Sequence, residues 1–342
     1  MQQEEDLKKC IDAFEKKLEL VIIDDISAAL YCKKYLAHLL QYKKYYLAIY
    51  ADVLNKLIRQ STQKKENILL IDFGAGNGLL GIFAKYCGFK KVFVNDIDEK
   101  FVQASRKLAA QLHVEIDGYI TGDIITVQSY FADEIPAAIV GTDVIEHIYD
   151  LGVFYKTIRQ INPLMISVFT TASNPANYFK VRALQKIQLK DELEGGSPDD
   201  HALFGESPLQ PFLKMREEII GKYARNMTDV EILALAKATR GMVQEDIRSS
   251  VETYMASGKM PVPASDTNTC NPLNGSWTER ILSLDTYISL YADAGFTCKF
   301  YAGFYNDYEQ GLMNFVKKLL NAGITTLGKK ISPYIVLVGT KK

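Results

Sequence analysis

Three side chains between residues 143 and 147 could do chemistry together. In AAIVGTDVIEHIYD, residues 137–150, Asp143, Glu146 and His147 fall within about one turn of chain, so two carboxylates and an imidazole can converge. An imidazole is suited to taking a proton from a hydroxyl or phenol near neutral pH. The same oxygen-rich set with one nitrogen also suits magnesium or manganese, which would lower the pKa of a bound hydroxyl. A second candidate lies upstream in ILLIDFGAGNGLLGIF, residues 68–83, where four apolar residues run through Asp72 into glycines at 74, 76 and 78. Such a run is what a buried parallel strand delivering the chain to a nucleotide-like ligand looks like.

Glycine spacing narrows the ligand. A dinucleotide fingerprint needs its third glycine three positions after the second, where this chain has Leu79, with Gly78 one place early. No Gly-Lys-Ser/Thr follows, which excludes a Walker loop. Asp72 would repel a phosphate and attract an ammonium, so the pocket suits a cationic ligand better than a polyphosphate. The next apolar run ends in VFVNDID, where Asp96 can accept both hydroxyls of a ribose through charge-assisted bonds. Asp98 takes that place if the register shifts by two, and a helix cap is its ordinary role. A third acid, Asp123 in YITGDIITV, follows the next run.

The elements that must hold these residues can be read in order. Helices are expected over 3–19 and 25–60, the second broken once or twice, with Tyr31, Tyr35, Tyr42, Tyr45 and Tyr46 spaced as one face. That face either packs on the core or lies over the ligand mouth. Strands are expected at 68–72, 91–95, 116–121, 137–141 and 164–170, with helices at 78–86, 98–111 and 150–160 between them. Alternation of this kind indicates a doubly wound parallel sheet with its ligand at the C-terminal strand ends. It then stops for about a hundred residues that are helical in part (180–193, 212–223, 228–238, 243–256), and resumes with a helix, a strand and the terminal SPYIVLVGTKK.

With the three acids at successive strand ends, the chain resembles the class I S-adenosylmethionine (SAM) methyltransferases over about residues 66–175 and 276–342. The resemblance implies an α/β fold with a seven-stranded Rossmann-like sheet, its last strand antiparallel. It implies three regions: an N-terminal helical layer (1–65), the SAM-binding core (66–175 plus 276–342) and an inserted helical cap (176–275). Implied cofactor contacts are Asp72, Gly74, Gly76 and Gly78, then Asp96 with Ile97, and Asp123 against the adenine amino group with the Ile124 amide facing a ring nitrogen. Asp143 completes the set. The segment DVIEH resembles motif IV of the ubiquinone-biosynthesis O-methyltransferases, Asp/Glu-x-x-Glu-His. It is not the Asn-Pro-Pro-Tyr/Phe loop of enzymes that methylate adenine or glutamine nitrogen, and Asn174-Pro175 comes after the fifth strand, the wrong place.

O- or C-methylation of a small, aromatic or hydrophobic acceptor is therefore expected, with Glu146 and His147 as catalytic residues. In relatives of this motif, including terminal-ribose 2′-O-methyltransferases of small RNAs, the acids and histidine carry metal. Here the set would be Asp143, Glu146, His147 and His201. The metal-free alternatives are that Glu146 and His147 hold neighbouring groups or the methionine moiety, or that His147 acts directly as base. Trp277, His201, Phe204 and Arg280 are candidates to touch substrate, ordinary packing or solvation being the alternative for each.

Composition bounds the rest. The chain has 342 residues, 40 basic and 41 acidic, so no bulk charge favours nucleic acid or a membrane. Five scattered cysteines without CxxC spacing support neither a disulfide framework nor a zinc cluster. The acidic N-terminus, MQQEEDLKKC, lacks the pattern of a secretory signal, and no stretch is long enough to span a bilayer, so cytoplasmic residence is expected. The rival readings are a nicotinamide oxidoreductase, opposed by Leu79 and Asp72, an RNA 2′-O-methyltransferase, and a non-catalytic SAM-binding protein.

Overall fold

Seven strands form one sheet: β1 (Leu69–Phe73), β2 (Lys91–Asp96), β3 (Gly118–Thr121), β4 (Ala138–Thr142), β5 (Ile166–Thr171), β6 (Phe296–Ala302) and β7 (Ile335–Lys341). Their order is β3-β2-β1-β4-β5-β7-β6. The first five pair in parallel, and β7 runs antiparallel to both β5 and β6. Strand order reverses between β1 and β4, which opens a crevice at their C-terminal ends. The structure, a computed structural model, describes residues 2–342 apart from 28, 133, 197–209, 225, 264 and 266.

Every residue of β1 is buried, as a central strand covered on both faces requires. The helices that follow β2 and β4 begin with acidic caps. Asp98 Oδ1 accepts from Lys100 N at 2.9 Å at the start of α5 (Glu99–Gln111), and Asp150 Oδ1 accepts from Val153 N at 2.9 Å before α7 (Leu151–Ile161). Each cap satisfies an amide the helix leaves open, at the strand edge where the crevice lies.

The chain divides into two compact units, residues 1–145, 150–172 and 283–342 in the first, and 146–149 and 173–282 in the second. The first holds the whole sheet and the N-terminal helices α1 (Gln2–Leu18), α2 (Leu30–Gln41) and α3 (Lys43–Gln60). The break expected within 25–60 falls at Tyr42, whose φ of −110° and ψ of 30° interrupt the helix. Phe14 of α1 packs on Phe83 of α4 (Leu79–Tyr86) with ring centroids 5.4 Å apart, while Leu47, Val53, Leu54 and Leu57 of α3 are fully buried. Between β6 and β7 stands α13 (Leu312–Leu327), where the sequence reading named no element.

The second unit has a core of its own. Helices α9 (Phe212–Tyr223), α10 (Asp229–Ala238) and α11 (Gln244–Ser257) bury Ile219, Ile220, Leu235, Ile247 and Val251 together. On α8 (Tyr178–Leu193), the fully buried Glu192 pairs with the fully buried Arg216 and with Arg240 at 3.2 Å, and accepts from Thr269 Oγ1 at 2.7 Å. Glu192→Ala would leave Arg216 charged in an apolar interior, so we expect this unit to lose about 3–5 kcal/mol of stability. Urea unfolding followed by the single tryptophan, Trp277, reads that loss.

Candidate functional site

The glycine turn is shaped by its neighbours. Gly76 has φ +54°, and a Cβ there would sit 2.8 Å from Tyr35 Cε1 on α2. Gly78, with φ +72°, starts α4 in the left-handed region, and a Cβ on it would meet Ser105 Cβ at 2.7 Å. Gly74 is likewise at positive φ. Only glycine fits a turn so bent and so closely covered. Tyr35 of the N-terminal tyrosine face thus lies against this turn, and the phenol itself is buried.

Asp96 ties the end of β2 to the turn. Its Oδ2 accepts from Gly76 N at 2.8 Å and its Oδ1 from Asp98 N at 2.9 Å. The Ile97 amide also bears on this carboxylate, and its remaining acceptor capacity is what ribose hydroxyls would use. Burial holds the Asp96 carboxyl above its usual range. Asp98 is the helix cap described above, so Asp96 is the acid built into the strand end. Next to it Ile97 is 77% exposed, an apolar platform at the crevice. Asp123 is exposed at the end of β3 and caps α6 (Ile124–Tyr130) through Oδ1, which accepts from Ile125 N at 3.1 Å and Thr126 N at 3.0 Å. Its Oδ2 takes no part in these bonds, and the Ile124 amide lies in the first turn of the helix, where no intrahelical partner exists.

Asp72 lies deeper. Its side chain is buried and Oδ2 accepts from Gly81 N at 2.7 Å, bracing α4 beneath the turn. Burial pushes its pKa up to about 7, only partly offset by the Gly81 amide. The unfolded carboxyl ionises near the ordinary value of 3.8, so between that pH and about 7 the unfolded chain binds fewer protons and stability falls as pH rises. At about 1.4 kcal/mol per pH unit the loss is roughly 4 kcal/mol. Asp72→Asn should flatten this part of the curve of unfolding midpoint against pH. A variant as steep as the parent would contradict the assignment.

At the end of β4, Asp143 adopts φ +50° and stays exposed. Its amide donates to Thr170 O at 3.1 Å, and its Oδ1 accepts from Ala172 N at 3.1 Å. Tyr35, Tyr45 and Tyr46 face its charge: burial, and then Asp143, raise all three phenols, Tyr46 to about 12. His38 Nε2 lies 3.0 Å from Tyr46 Oη in the same cluster.

In the second unit the segment Glu146–Tyr149 runs beside residues 277–280. Arg280 N donates to Glu146 O at 3.1 Å and Trp277 N to His147 O at 3.2 Å. The Glu146 side chain is buried. His147 Nδ1 is 2.8 Å from Trp277 O. A carbonyl only accepts, so Nδ1 carries the proton and Nε2 is left as the acceptor, the tautomer a general base needs. Trp277 is buried, stacked on Tyr149 at 5.8 Å between centroids, and donates from Nε1 to Tyr149 O at 3.2 Å. The Arg280 guanidinium lies 4.2 Å from the Trp277 ring centroid and donates to the same carbonyl. Both residues, expected as substrate contacts, are here engaged in holding this segment. His201 and Phe204 lie outside the described residues.

Among the described residues no three of His, Cys, Asp or Glu come together to hold a metal ion, so the expected magnesium or manganese finds no ligand set there. Two features escaped the sequence reading. Tyr35 was one of five equivalent tyrosines, and the carbonyl that orients His147 lies 130 residues away in the chain.

A seven-stranded sheet with β7 reversed, a glycine turn after β1 and acids at the ends of β1, β2 and β3 define the class I SAM-dependent methyltransferase fold. Within that class, the family model for ribosomal protein L11 methyltransferase (PrmA) matches residues 53–157. The ribosomal protein L11 methyltransferase of Paraburkholderia phymatum is 41% identical over 59 residues, 17% of this chain and 19% of that protein. The protein of the same description from Dictyoglomus turgidum is 43% identical over 53 residues, 16% and 18% of the two chains. This chain thus matches under a fifth of the length of either relative. A SAM-dependent methyltransferase from Archaeoglobus fulgidus aligns with 90% of this chain and 99% of its own, at 11% identity and a TM-score of 0.43.

Proposed function

We propose that the protein is a SAM-dependent methyltransferase that methylates an oxygen or carbon of a small aromatic or hydrophobic molecule. The observation that carries the cofactor reading is Asp96, locked by the Gly76 and Asp98 amides between a glycine turn and the exposed Ile97. SAM supplies a methyl group on a sulfonium, delivered in line to a nucleophile about 3 Å away, so positioning provides most of the rate. Asp96 holds the ribose, Ile97 covers a face of the adenine, and Asp123 with the Ile124 amide reads its edge. Asp72 braces the turn from below. His147, four residues beyond Asp143 in the chain, takes the acceptor's proton through Nε2, and the buried Glu146 beside it fixes the segment.

A protein acceptor is the second reading, favoured by the L11 methyltransferase matches. The family-model match covers residues 53–157, from α3 to α7, within the cofactor half of the sheet. It therefore supports the cofactor more than the acceptor. The test is transfer of labelled methyl from SAM into a fractionated cell extract. Label in extractable small molecules is expected. Label confined to protein, ribosomal protein L11 included, or to RNA would overturn the acceptor assignment, and no label in any fraction would leave a SAM-binding protein without turnover.

A further inference from the structure

Helix α13 is turned inside out. Its 16 residues carry Leu312, Phe315, Val316 and Leu319 at spacings of three and four, one continuous stripe. That stripe faces solvent: Leu312 is 82% exposed, Phe315 59% and Leu319 56%. The opposite side is turned to the body of the unit, with Leu320 and Ile324 half-buried there beside polar anchors. Asn314 is buried, and Asn321 holds Tyr305 by both backbone groups, accepting from its N at 2.7 Å and donating to its O at 3.0 Å. Lys317 reaches back to Glu309 at 2.6 Å. The polar anchors thus fix the apolar stripe outward, where a soluble surface helix would bury it.

Charge decides what covers it. From residue 310 to 342 the chain contains six lysines and no acidic residue, and Lys318 and Lys330 are exposed. Self-pairing of this face would bring Lys318 and Lys330 of two copies together, and the nearest acid in the chain, Glu309, is already held by Lys317, which opposes a second copy. An apolar stripe edged by lysines is the pattern of a helix lying in a lipid–water interface, its lysines drawn to anionic headgroups. Among the described residues no helix is long and apolar enough to cross a membrane, so contact in the plane of the surface is what remains.

We propose that α13 docks the protein on the surface of an anionic phospholipid bilayer through Leu312, Phe315, Val316 and Leu319, with Lys318 and Lys330 at the headgroups. The inference does not depend on the methyl-transfer reading.

The test is flotation of the full-length protein with phosphatidylcholine vesicles, alone or with about a quarter phosphatidylglycerol. Flotation is expected with the anionic vesicles only, and weaker at high salt. Phe315→Gln with Leu319→Gln, and separately Lys318→Glu with Lys330→Glu, should each weaken partitioning by about tenfold or more. Circular dichroism of each variant should match the parent. No preference for anionic vesicles, or parent-like flotation of both variants, would overturn the proposal. A lipid-free dimer that the glutamine pair dissociates would also overturn it, making the stripe a contact between copies.

Discussion

Asp96→Ala is expected to weaken S-adenosylhomocysteine binding by about a hundredfold or more, with the sheet intact. The carboxylate has two duties that the substitution removes together. Toward the protein it accepts from the Gly76 and Asp98 amides and so sets the curvature of the turn. Toward the ligand its remaining lone pairs accept the ribose hydroxyls, each charge-assisted bond contributing about 1.5–3 kcal/mol. Two such bonds lost give at least the hundredfold effect. Asp96→Asn separates the duties: one carbonyl oxygen survives to hold Gly76 N, and binding should fall by an intermediate factor. Isothermal titration of the parent and both variants checks the order. Equal affinity in all three would remove Asp96 from the ligand.

His147→Ala should lower kcat by about a hundredfold to ten-thousandfold while leaving S-adenosylhomocysteine affinity within a small factor. The Trp277 carbonyl fixes the ring with its proton on Nδ1, so what the alanine removes is an oriented base at Nε2. The deficit should shrink as pH rises and the acceptor hydroxyl ionises without help. A constant deficit across pH, or a loss of cofactor affinity equal to the loss in kcat, would reduce His147 to a packing role.

Much of the cofactor half is legible in the residues themselves. Ile68 to Ile71 followed by three glycines marks β1 and its turn because a doubly covered strand reads as an unbroken apolar run and the turn needs positive φ. Asp98 could be assigned to either of two roles by spacing, and only the Lys100 amide on its side chain separates cap from ligand. Asp72 reads from the sequence as an acid facing the ligand, yet its position one residue before the strand ends turns it inward under Gly81.

The chemistry beyond the cofactor is less legible because it depends on contacts between distant segments. Nothing local to EHIY shows that residues 146–149 pair with 277–280 and fall in the second unit. The periodicity of α13 is that of an ordinary amphipathic helix. Which of its faces is buried follows from Asn321 meeting Tyr305, a contact that hydrophobic spacing does not encode.

The central claim is that the turn at Gly74–Gly78 with Asp96 binds an adenosyl sulfonium and not a dinucleotide. Calorimetric titration of the purified chain with S-adenosylhomocysteine, repeated in excess NAD, tests it most directly. Saturable one-to-one binding that SAM displaces and NAD leaves unchanged is the expected result. No heat of binding with S-adenosylhomocysteine, or binding of NAD in its place, would contradict the claim.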